Sequence, residues 1–144
     1  MKDQISTLLL HEPADSVGPL TLALEGQSLQ VRWMGNYQEA LPLLMGPNPP
    51  HLVFAESALP GGNWADVVKL AAEAQKPVNV VVVARLVDVR LYLEAIVGGA
   101  FDFIVPPLTG NELSHVVRCA AEDVLSRREE QARSAPPPET RRVN

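Results

Sequence analysis

The 144-residue chain has a hydrophobic share of 47%, a charged share of 20% and a formal net charge of −5 at pH 7. That length and balance suit one globular domain able to bury a core without metal or disulfide staples. The single cysteine, Cys119, excludes an internal disulfide and argues against a Cys-based zinc site.

Taken in chain order, short β-branched or aliphatic runs alternate with longer helical patterns. Strands are predicted at Thr7–Leu10, Leu29–Trp33, Leu52–Ala55, Val78–Ala84 and Phe101–Val105. Helices are predicted at Ala14–Glu25, Tyr37–Met45, Asn63–Gln75, Val87–Val97 and Gly110–Arg128. The unbroken Val80-Val81-Val82-Val83 run is apolar on both alternating faces, as a central parallel strand covered on each side requires. Breakers fall at the expected joints. Gly46-Pro47-Asn48-Pro49-Pro50 ends the second helix, Lys76-Pro77 the third, and Gly98-Gly99 provides a left-handed cap for the fourth. Pro42 predicts a short or kinked second helix. Thr109 or Asn111 can cap the last helix, whose Leu113, Val116, Val117, Ala120, Ala121 and Val124 form one apolar stripe.

Five βα units predict an α/β, flavodoxin-like, doubly wound five-stranded parallel sheet of order 2-1-3-4-5, with helices on both faces. A dinucleotide-binding variant is disfavoured, because no glycine follows the first strand before Gly18. The domain is expected to span residues 1–128. Residues 129–144 read as a disordered Pro/Arg-rich tail or linker, lacking apolar period.

Residues 127–144 hold five arginines and three glutamates, leaving seven basic and fourteen acidic residues elsewhere, a net of −7. An acidic body lacks the basic face that nucleic acid needs. No apolar run reaches the ~18–20 residues that span a bilayer, and no secretory segment opens the chain, so a cytoplasmic protein is expected.

In the predicted sheet a ligand site lies beyond the carboxyl ends of the strands. His11 and Glu12 arrive there after the first strand, Glu56 after the third, Val83 at the end of the fourth and Pro106 after the fifth. Three stretches stand in characteristic order: Pro50-His51-Leu52-Val53-Phe54-Ala55-Glu56-Ser57-Ala58-Leu59-Pro60-Gly61-Gly62, then Pro77 to Arg85, then Gly99-Ala100-Phe101-Asp102-Phe103-Ile104-Val105-Pro106-Pro107-Leu108. With Leu8-Leu9-Leu10-His11-Glu12 before them, the chain resembles a response-regulator receiver domain over roughly residues 5–125.

The resemblance implies an aspartate that accepts a phosphoryl group, Mg²⁺ held by two acidic residues, a Ser or Thr closing the fourth strand and a Lys closing the fifth. This chain carries His11 and Glu12, Glu56, Val83 and Pro106 at those positions. Phosphoryl transfer depends on positioning and charge neutralisation, which Val83 and Pro106 cannot supply through their side chains. The resemblance therefore implies a degenerate receiver with no catalytic residue and no cofactor, acting in two-component-type signalling through protein contacts. Two alternatives compete: phosphorylation by unusual chemistry, and a small-molecule or metal-binding pocket built from His11, Glu12 and Glu56. Arg85, two residues beyond Val83, can pair with Glu56. Phe103 holds the position of the aromatic that moves when a receiver is phosphorylated.

In receivers the face of the fourth helix, fifth strand and fifth helix meets a signalling partner or a second copy. On the fourth helix Val89, Leu93 and Ile96 are expected to cover the sheet, leaving Val87 and Leu91 as the exposed anchors of that interaction face.

Overall fold

The computed structural model describes residues 5–11, 23–24, 26–27, 29–59 and 61–134. The predicted first helix, Ala14–Glu25, lies almost wholly outside them; Ala23 and Leu24 are helical.

Among the described residues the strands and full helices follow in order: β1 (Ile5–Leu10), β2 (Leu29–Met34), α1 (Tyr37–Met45), β3 (Leu52–Glu56), β4 (Ala58–Leu59), β5 (Gly62–Asn63), α2 (Trp64–Ala72), β6 (Asn79–Val83), α3 (Val89–Gly98), β7 (Asp102–Ile104) and α4 (Gly110–Ser134). The main sheet runs β2-β1-β3-β6-β7, all parallel. This is the predicted 2-1-3-4-5 order, with the small antiparallel β4–β5 hairpin inserted after the third strand.

Alternation along the strands builds two cores. Leu8, Leu10, Val53, Ala55, Val80 and Val82 pack with α1, α2 and Ala95 of α3 on one face. Leu9, Leu52, Phe54, Val81 and Val83 pack with Leu24 and with Leu113, Val117, Ala120 and Val124 of α4 on the other. Strands buried on both faces need this continuous apolarity.

Local signals set the helix ends. Asn63 and Asp66 form a reciprocal capping box at the start of α2. Thr109 and Glu112 do the same for α4, with Thr109 Oγ1 accepting from the Glu112 N–H at 3.0 Å and Glu112 Oε1 from the Thr109 N–H at 2.9 Å. Gly99 ends α3 at φ 116°, a conformation costly for any residue with a Cβ.

Two expectations are corrected. Helix α4 continues six residues past Arg128, so residues 129–134 belong to it rather than to a tail. Arg128 is itself an anchor: its Nε donates to the Pro77 carbonyl (2.8 Å) and its Nη2 to those of Pro49 (3.1 Å) and Pro50 (2.8 Å). Helix α3 begins at Val89, with Asp88 as its N-cap, so Val87 lies in the preceding loop.

Candidate functional site

Strand register brings the predicted residues to one end of the sheet. Glu56 pairs with Val83, Val83 with Ile104, and Leu10 with Ala55, which sets His11 at the level of Glu56. Pro106 follows two residues after β7, joined to Pro107 by a cis peptide bond. Glu12 lies outside the described residues.

Glu56 is buried, its side chain only 6% exposed, and Arg85 reaches it from the loop after β6. Arg85 Nη2 stands 3.0 Å and Nε 3.3 Å from the same Glu56 Oε2. A carboxylate removed from water requires such a partner, because an unpaired buried charge is costly. The Ser57 N–H donates to the Val83 carbonyl at 2.9 Å, tying the two strand ends together. Around the pair, Ser57, Ala58, Val83, Ala84, Leu86, Asp88 and Leu91 line an open cleft of about 480 Å³.

His11 is buried at the rim. Its N–H donates to the Met34 carbonyl, its own carbonyl accepts from the Trp33 indole at 3.1 Å, and the two rings lie 5.7 Å apart. His51 has a structural task that its sequence position did not reveal: its Nδ1 accepts the Ser6 N–H at 3.0 Å, joining the starts of β1 and β3. Among the described residues no three His, Cys, Asp or Glu side chains come together as a metal-binding set.

Phe103 packs half-buried against the core, edge-on to Tyr92 of α3 at 5.6 Å. Helix α3 overturns the predicted assignment of faces. Ala95 is the residue that the sheet buries, and Leu91 is half-buried as a wall of the Glu56 cleft. Val89, Leu93, Ile96 and Val97, together with Leu86 and Val87 of the loop, are exposed. With Ala95 turned to the core, the larger apolar side chains are left on the outer side.

At the opposite end of the sheet, sequence reasoning missed a second polar cluster. Buried Asn79 donates from Nδ2 to the Ala120 carbonyl (2.9 Å) and to Asp123 Oδ2 (3.0 Å), and accepts from Arg127 Nη2. Arg127 Nε also donates to Asp123 Oδ2 at 2.9 Å. Burial pushes the Asp123 carboxyl up, but hydrogen bonds from Asn79 and Arg127 and the Arg127 charge outweigh it and hold the group below its ordinary range. The polar Asn79 at the head of an otherwise apolar strand was the available signal.

No protein-family model matches the chain, and no curated protein matches it in sequence. Solved structures do match. The signal receiver domain of a Vibrio parahaemolyticus protein described as a Luxo repressor aligns at TM-score 0.75 and 16% identity, over 92% of this chain and 99% of that one. A Thermotoga maritima response regulator aligns at TM-score 0.67 and 23% identity, over 83% and 98%. A two-component response regulator from Clostridium difficile aligns at TM-score 0.67 and 21% identity, over 83% and 97%. The fold is that of response-regulator receiver domains. Among the described residues no helix is long and apolar enough to cross a membrane.

Proposed function

We propose that this chain is a receiver-type module of two-component signalling that works by constant protein contact rather than by a phosphorylation cycle, with a second copy of itself as the partner. The carrying observation is the outer side of α3 and the loop before it. Val87 is 82%, Val97 87% and Leu93 54% exposed, beside Leu86, Val89, Ile96 and Tyr92. A standard interface takes ~800 Å² from each partner, with apolar and aromatic side chains at its centre. Exposed apolar side chains gathered on one side of a helix and the loop before it mark a protein-interaction site. Arg90 and Glu94 lie along one border of this face, opposite charges that a twofold pairing can bring together.

Support for independence from phosphorylation comes from the strand ends. Glu56 is engaged by Arg85, and Val83 and Pro106 offer no side-chain donor to a phosphoryl oxygen. Incubation with acetyl phosphate and Mg²⁺ should leave the intact mass unchanged; a stoichiometric phosphoryl gain would restore the working-receiver reading.

Sedimentation velocity tests the partner. The full chain should form a dimer in the micromolar range, and Leu93→Asp, which forces a carboxylate into the contact, should be monomeric with an unchanged circular dichroism spectrum. Leu91 is unsuited to this test because it walls the cleft. A wild-type chain that stays monomeric at ~0.5 mM, three decades weaker than a micromolar dimer allows, removes the second-copy reading.

A further inference from the structure

We infer that the Glu56–Arg85 ion pair is a fixed latch that sets the loop before α3, and with it the outer apolar face; the consequence for association rests on the function proposed above, whereas the latch itself does not. The chain between the sheet and α3 is short. Ala84 is buried and its N–H donates to the Ile104 carbonyl at 2.9 Å, so the backbone is fixed up to that residue. Arg85 comes next and reaches back to Glu56, 29 residues earlier, across the cleft. Only Leu86 and Val87 then separate it from Asp88, and both project into solvent.

Asp88 begins the helix: its Oδ1 accepts the Leu91 N–H at 3.0 Å and its carbonyl the Tyr92 N–H at 2.9 Å. Leu91 lines the same cleft as Glu56 and Arg85, while Tyr92 meets Phe103 edge-on. Whatever fixes Arg85 therefore fixes where α3 starts and how its outer side is presented. The pair is strongly asymmetric, with side chains 6% exposed for Glu56 and 58% for Arg85. The carboxylate is thus the immobile post, and the arginine, carried by an exposed loop, is the element being held. A loop with no such tie would sample other positions and lose the entropy only on binding. Glu56→Ala, silent if this pocket is merely vestigial, should therefore be felt at a distance.

The test uses the full chain in four forms: wild type, Glu56→Ala, Arg85→Ala and the double variant. Hydrogen exchange is followed at the Leu91 and Tyr92 amides, with Val117 and Ala121 of α4 as internal references. Each single substitution should speed exchange at Leu91 and Tyr92 about tenfold or more, with the α4 amides unchanged. The double variant should stay within about threefold of the singles, because one interaction is lost only once. The double variant also lacks the buried carboxylate that Arg85→Ala deprives of its guanidinium, so it reports even if Arg85→Ala folds poorly. Unchanged exchange at Leu91 and Tyr92, equal acceleration in α4, or multiplied effects near a hundredfold would each overturn the latch. Self-association should weaken about tenfold in the same variants; if it holds while exchange accelerates, the link to the apolar face is refuted. Failure of the face itself registers separately, as dimerisation that survives Leu93→Asp or is absent from wild type.

Discussion

Removing the Arg128 side chain is the sharpest test of how the last helix is held. One guanidinium donates to three carbonyls, of Pro77, Pro49 and Pro50, at 2.8, 3.1 and 2.8 Å. These acceptors lie 51 to 79 residues away in sequence, on loops leading into β3 and β6. A hydrogen bond from a charged donor contributes about 1.5–3 kcal/mol when well buried. Arg128 is half-buried and water can reach the vacated carbonyls, so about 1 kcal/mol each, or about 3 kcal/mol for Arg128→Ala, is the discounted expectation. With a urea dependence of ~2 kcal/mol/M, the unfolding midpoint should fall by ~1.5 M. Heating should show a drop on the order of 10 °C. Arg128→Lys should recover less than half, because an ammonium is a point donor that cannot fork across three carbonyls. The guanidinium is lowered from its usual range by burial and by neighbouring Arg127, yet it stays charged at any working pH. A loss below ~1 kcal/mol, within the spread of ordinary substitutions, or full rescue by lysine would refute the anchoring argument.

Three further substitutions have expected outcomes. The Asp123 carboxyl is depressed in the folded state, so its stabilisation is fully present above the unfolded value near 3.9 and is lost as pH falls through the folded value. Asp123→Asn should flatten that part of the acid-unfolding curve, and an unaltered acid limb would contradict the assignment. Gly99→Ala should cost ~1–3 kcal/mol, because Gly99 sits at φ 116° and an added Cβ would come within 3.2 Å of Val68 Cγ1. Gly110→Ala should instead stabilise by ~0.5–1 kcal/mol, since an added Cβ meets nothing within 4 Å at the start of α4. Paired thermal melts check both signs.

The class of fold is legible in the order of residues alone. Alternating β-branched runs, helical periods and the breakers at Gly46–Pro50, Lys76-Pro77 and Gly98-Gly99 are local signals, and the βα order they define restricts the sheet to few arrangements. The order of residues also placed Glu56, Val83 and Pro106 at one sheet end, because strand ends follow from strand positions. The faces of α3 were beyond it. That segment is apolar almost all round, so Val89, Leu93 and Ile96 read as a sheet-facing stripe, and only packing showed that Ala95 faces the core. The arginines of the last helix were equally opaque: Arg127 and Arg128 look like solvated charges until strands and loops distant in sequence bring Asn79, Pro49, Pro50 and Pro77 beneath them. Periodicity is a property of neighbours along the chain, whereas burial and hydrogen-bond partners are fixed by contacts between segments, and these exist only once the sheet has assembled.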